Sequence, residues 1–214
     1  QPCVPILKSS NAEAEPAEDV PPVDDPSRAD AKMKRSGRTN ISRGLFFVPP
    51  TFQSSDGQYD LILFFHGNTD LVEDGFVLSG VNAAFVVYNF GNGSGAYEER
   101  YRDPARFTDT LLRVQDEMST RGLANPKLRR VALVSWSAGY GAVQAVLAQP
   151  KLAEIVDAII VLDGMHAGYI GEGPQIHPGS LGSFVPFAER AMKNEKLFVR
   201  IKDLHDHAGS LDLT

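Results

Sequence analysis

The stretch VALVSWSAGYGAV, Val131 to Val143, constrains this chain more than any other. It begins as an apolar run, the pattern of a strand covered on both faces. It passes into Ser135-Trp136-Ser137-Ala138-Gly139 and then straight into a helix-forming segment. Small residues bracket Ser137 on both sides. A sharp strand-to-helix turn needs this when it lifts a serine hydroxyl above the end of a sheet. The usual spacing is Gly-x-Ser-x-Gly, and here Ser135 stands in place of the first glycine. A serine in such a turn reads as a nucleophile.

From Thr39 onward the sequence alternates strand and helix patterns. Gly44 to Val48 is a short strand stopped by Pro49-Pro50. Asp60 to Phe65 and Ala83 to Tyr88 are continuous apolar runs, each a buried strand. Asp103-Pro104 opens a helix with Asp103 as N-cap and Pro104 at the first helical position. Phe107, Leu111, Val114 and Met118 form its core stripe, and Gly122 stops it. Arg130 to Ser135 is the next strand, followed by a helix over Ala138 to Gln149. Val156 to Leu162 and Leu197 to Ile201 are further strands, with a helix over Ser183 to Asn194 between them. This order predicts an α/β fold: a mostly parallel, doubly wound sheet with helices on both faces.

Residues 1–38 are of different material. Six of the 14 prolines fall between Pro2 and Pro26, and seven acidic side chains lie between Glu13 and Asp30 against one basic, Arg28. Such a segment cannot bury a core and reads as a linker, leaving 39–214 as the folded domain. An acidic, proline-rich arm fits an exported domain held away from a surface. Cys3, the only cysteine, allows no internal disulfide; it stands where a lipid anchor would attach, though Gln1-Pro2 is a poor cleavage context. The net charge of −6 argues against nucleic acid as a partner. No apolar run approaches the roughly 20 residues of a membrane span. Nothing in the sequence fixes an oligomeric state.

Three segments at strand ends carry a resemblance to the α/β-hydrolase fold. These are Phe64-Phe65-His66-Gly67-Asn68, the serine turn, and Val161-Leu162-Asp163-Gly164-Met165-His166. The resemblance covers about Gly44 to Ile201 and implies a small serine esterase with an open site. In that fold the loop after the His-Gly pair supplies one oxyanion donor, here the amide of Asn68 or Thr69. Ala138, opening the next helix, supplies the second. Ser137 is then the nucleophile, Asp163 the acid, and a histidine after the last strand the base. His205 is favoured for that role. His207 and His166 are alternative bases, and Asp203 is the rival acid. His66 orients its loop rather than acting as base. His66, Gly67, Trp136 and Tyr97 are expected around the substrate, with the Gly91–Tyr97 segment as one mobile wall and the Gly171–Ser183 segment, which includes His177, as the other.

The substrate class implied is a small or lipid-like carboxylic ester, with peptide or thioester cleavage open to the same machinery. A binding protein that kept the fold without the chemistry is the alternative from another class. No cofactor is needed and no metal is expected, although two His and two Asp within 203–207 can bind one. Only 13 residues follow Ile201. Larger members of the fold carry a further strand and helix there, so a C-terminally shortened domain is one reading.

Overall fold

The computed structural model describes residues 37–166, 179 and 181–201. Its centre is a seven-stranded sheet: β1 (Thr39–Ile41), β2 (Gly44–Phe47), β3 (Gln58–Phe65), β4 (Ala84–Tyr88), β5 (Lys127–Trp136), β6 (Ala158–Leu162) and β7 (Leu197–Ile201). The spatial order is β1-β2-β4-β3-β5-β6-β7. The β1–β2 and β2–β4 pairs are antiparallel, and all pairs from β4 to β7 are parallel. The helices are α1 (Thr69–Ser79), α2 (Ser94–Arg102), α3 (Pro104–Thr120), α4 (Tyr140–Leu147), α5 (Pro150–Ile155) and α6 (Phe184–Met192). From β3 the chain crosses to β4 on one side; from β4 it crosses back over β3 to β5 on the other. That reversal opens a crevice at the carboxyl ends of β3 and β5, where open α/β sheets bind ligands.

Alternation within the strands builds a core on each face. Leu61, Leu63 and Phe65 of β3 join Val86, Tyr88, Leu133 and Val161 under α2 to α6. Ile62, Phe64, Phe85, Val87 and Val134 face the other way, against Val72, Phe76 and Val77 of α1. The mostly polar α2 is anchored by two fully buried rings, Tyr101 beside Phe65 and Tyr88, and Tyr97 beside His66 and Phe90. Burying one such ring contributes roughly 1.5–3 kcal/mol.

The capped helix forms where its sequence places it. Asp103 accepts the Ala105 amide at 3.0 Å, Pro104 is the first helical residue, and Phe107, Val114 and Met118 are buried. Thr110 joins that stripe because its hydroxyl meets Tyr88 Oη at 3.2 Å and donates to the Arg106 carbonyl. Other expectations need correction. The helix expected over Ala138 to Gln149 is a 3-10 turn, Ser137–Gly139, followed by α4, which ends at Leu147. The Gly91–Tyr97 wall is loop only as far as Gly93, whose φ of 94° turns the chain into α2. At the other end, Arg38 leaves the arm and clasps α1, donating to Asp70 and to the fully buried Glu73.

Candidate active site

Ser137, His66 and Asp163 each follow the last residue of a parallel strand, and each holds a backbone that favours glycine. Their φ values are 43°, 71° and 45°. A non-glycine residue in this region costs about 1–3 kcal/mol and persists where its surroundings enforce it. At Ser137 the cause is the abrupt change from β5 to helix. Trp136 is still extended at φ −115°, and Gly139 is already helical at φ −60°. A side chain on Gly139 has no room: its Cβ would lie 2.0 Å from the Phe65 carbonyl oxygen of β3. Gly141, two residues on, does not face the sheet. It faces α2 instead, with Ser94 O at 2.2 Å from a built Cβ. Ser137 and Ala138 are half-buried, so the turn stands at the rim of the sheet rather than in the core.

Strand register brings the remaining segments to this rim. Phe65 pairs with Tyr88 on one side and Ser135 on the other, which sets His66 beside Trp136. Their rings stack at 5.5 Å with 22° between planes. Trp136 pairs with Leu162, so Asp163 follows on the neighbouring strand as Ser137 does on its own. The Asp163 amide donates to Ile201 O at 2.8 Å, and Gly164 packs against the elbow, its built Cβ 3.3 Å from Ser137 O. His166 is exposed and lies edge-on to Tyr140, at 5.7 Å between centroids, while its carbonyl accepts from the Tyr140 hydroxyl.

After His66 the chain turns through buried Gly67 into α1. Asn68 is the N-cap, its side-chain oxygen accepting from Leu71 N at 3.2 Å. The helix therefore starts at Thr69 with its positive end at the crevice. His66 is secured by a network that its sequence context did not disclose. Its amide donates to Tyr88 O at 2.8 Å, and its Nδ1 is 2.7 Å from the Tyr97 hydroxyl. Asn89, not singled out by sequence, donates from Nδ2 to Gly67 O at 3.1 Å and accepts from Gly91 N. Burial holds His66 below the ordinary imidazole pKa, while a hydrogen bond with the Gly91 backbone pulls the other way. Tyr97, expected to contact substrate, is fully buried behind His66 and reaches the site through that ring and through Asn89. The signal for Asn89 was its place directly after β4, level with His66.

His205, His207, Asp203 and His177 lie outside the described residues, as do residues 1–36 with Cys3. Among the described residues no group of three His, Cys, Asp or Glu side chains is placed to hold a metal. No described helix is long and apolar enough to cross a membrane. The arrangement offers a hydroxyl on a strained turn, the N-termini of two helical segments beside it, a neutral-leaning imidazole and a neighbouring carboxylate.

No protein family model matches the chain, and no curated protein matches it. Among solved structures it is similar to an enterochelin esterase from Shigella flexneri, at 14% identity over 77% of this chain and 50% of that one, with a TM-score of 0.43. It is also similar to a mature lipase from Bacillus licheniformis, at 14% identity over 76% and 72%, TM-score 0.41. A feruloyl esterase module from Clostridium thermocellum is similar at 10% identity over 76% and 64%, TM-score 0.42. The chain spans half the length of the enterochelin esterase. The described residues form a mostly parallel, doubly wound α/β sheet with helices on both faces.

Proposed function

We propose that this protein is a serine hydrolase that cleaves a carboxylic ester through an acyl-enzyme. The observation that carries the reading is Ser137 itself: a half-buried serine with φ 43° on a strand-to-helix turn at the sheet's switch point. A serine held at positive φ on a strand-to-helix turn is the backbone arrangement that presents a nucleophilic hydroxyl at a sheet rim. Ser137 Oγ attacks the ester carbonyl while an imidazole takes its proton. The tetrahedral oxyanion is met by the amide of Ala138 and that of Asn68 or Thr69, at two helical N-termini. The intermediate collapses, the alcohol leaves with the proton, and water repeats the attack to release the acid. His205 is the proposed base and Asp163 the group that holds its tautomer. The proposed substrate is a small or lipid-like ester.

The test is labelling with a fluorophosphonate probe and turnover of p-nitrophenyl butyrate. Wild-type protein is expected to label and turn over, and Ser137→Ala to do neither. His205→Ala is expected to lose at least about 10³-fold in turnover. A wild type that neither labels nor hydrolyses overturns the reading in favour of a binding protein on the same fold.

A further inference from the structure

We propose that Tyr97 is a positioning residue: its hydroxyl, held against His66 Nδ1, fixes the imidazole and through it the His66–Gly67–Asn68 turn that meets the oxyanion. This rests on the serine-hydrolase reading of Ser137.

Tyr97 cannot touch a substrate, because none of it is exposed. Its hydroxyl is nevertheless the meeting point of three segments. It accepts the Phe90 amide at 3.1 Å, from the loop after β4. It lies 2.7 Å from His66 Nδ1 and 3.3 Å from Asn89 Oδ1. A phenol has one proton to give and two lone pairs to receive. Asn89 Oδ1 can only accept, so the hydroxyl gives its proton there and receives from the Phe90 amide and from His66 Nδ1–H. A neutral imidazole that donates at Nδ1 leaves its lone pair on Nε2. Tyr97 thus selects one tautomer of His66 and one orientation of its ring.

The turn needs such a device. His66 has a φ of 71°, a conformation uncommon outside glycine. It is held by its amide on Tyr88, by stacking on Trp136, by Tyr97, and by Asn89 on the adjoining Gly67 carbonyl. Three of these restraints come from β4, its loop, or α2. The same α2 lies against the elbow helix, with Ser94 O against Gly141. One element therefore stands behind both donor-bearing segments. A phenylalanine at position 97 would fill the same space, so the hydroxyl is the part with a purpose.

The decisive variant is Tyr97→Phe, with Tyr59→Phe as its control. Tyr59 is equally buried, and its hydroxyl has no hydrogen-bond partner. Tyr97→Phe is expected to lower kcat on p-nitrophenyl butyrate at least about tenfold with KM within about twofold, since oxyanion donors act only in the transition state. Nitrogen-15 spectra of the imidazoles should show His66 losing its uniform Nδ1–H tautomer. Tyr59→Phe should leave kcat and that spectrum unchanged. An active, labelled wild type whose Tyr97→Phe variant keeps its kcat overturns this proposal alone. So does a kcat loss matched by Tyr59→Phe, or one in which the His66 tautomer stays fixed. A wild type that neither labels nor turns over removes the hydrolase reading and this one with it.

Discussion

Replacing Gly139 with alanine adds one methyl group at the tightest backbone approach in the elbow. Built on the present backbone, the new Cβ lies 2.0 Å from Phe65 O, 2.6 Å from Phe65 C and 2.9 Å from Phe65 Cβ. Two of these atoms are backbone of β3, a strand hydrogen-bonded on both sides, and Phe65 is fully buried. Neither can swing aside as a side chain would. Gly139 has a helical φ of −60°, so no dihedral penalty is mixed into the result. Reaching even 3.0 Å, the closest approach a real Cβ tolerates, requires about 1 Å of displacement, which must come from the turn that carries Ser137. Overpacking of a rigid site costs about 1–3 kcal/mol, and a backbone obstacle places this case at the upper end, about 3 kcal/mol. A displacement of about 1 Å at a reacting group costs on the order of 10²-fold in rate. Urea denaturation followed by circular dichroism reads the first effect, and p-nitrophenyl ester turnover the second. Gly75→Ala calibrates both. Gly75 lies inside α1 with nothing within 4 Å of a built Cβ, so the same change there should stabilise by about 0.5–1 kcal/mol and leave turnover alone. If Gly139→Ala destabilises by less than about 1 kcal/mol, the elbow is not pressed against β3 and the steric account is wrong.

Ser135 and Asp60 give two further tests. The Ser135 hydroxyl is fully buried and has no hydrogen-bond partner, so Ser135→Ala removes an uncompensated polar group and should stabilise the protein by about 1 kcal/mol in urea titration; a loss of stability would mean that the hydroxyl is paired. Burial alone would raise the pKa of Asp60, but Arg129 at 2.8 Å and Arg130 at 2.5 Å hold it below the ordinary carboxylate value. A depressed carboxyl stabilises above its unfolded pKa of about 3.9 and loses that contribution as pH falls through the folded value. Asp60→Asn should therefore cost about 1 kcal/mol at pH 7, with exposed arginines limiting the effect, and the gap to wild type should close as pH falls below the ordinary carboxylate value and through the depressed one. A pH-independent gap in parallel urea titrations would contradict the ion-pair origin.

The parallel strands were legible because each is centred on an apolar run, and α3 because Asp103 and Pro104 mark its start. The helices α1 and α2 were not. The stripe of α1 is broken by Gly75 and by Leu71 and Leu78, which point to solvent. The segment SGAYEERYR reads as polar, and only Tyr97 and Tyr101 tie it to the core. The strand β1 is three residues long and exists only by pairing with β2. At the site, the serine turn announced itself because steric demand there is local to five consecutive residues. The bracing of His66 is not local: Tyr97 stands 31 residues away and meets it only after β4 and α2 have folded back. Loop partners of this kind leave no periodic trace in a sequence.

Trp136 is the chain's only tryptophan; its ring stacks on that of His66, and it directly precedes the residue proposed to attack. All indole emission from this protein thus arises at one point, in face contact with an imidazole. Occupation of the crevice, acylation of Ser137 or a shift of the His66 turn would each alter that signal. The molecule carries its own optical reporter, and pre-steady-state events can be followed in it with natural, colourless esters.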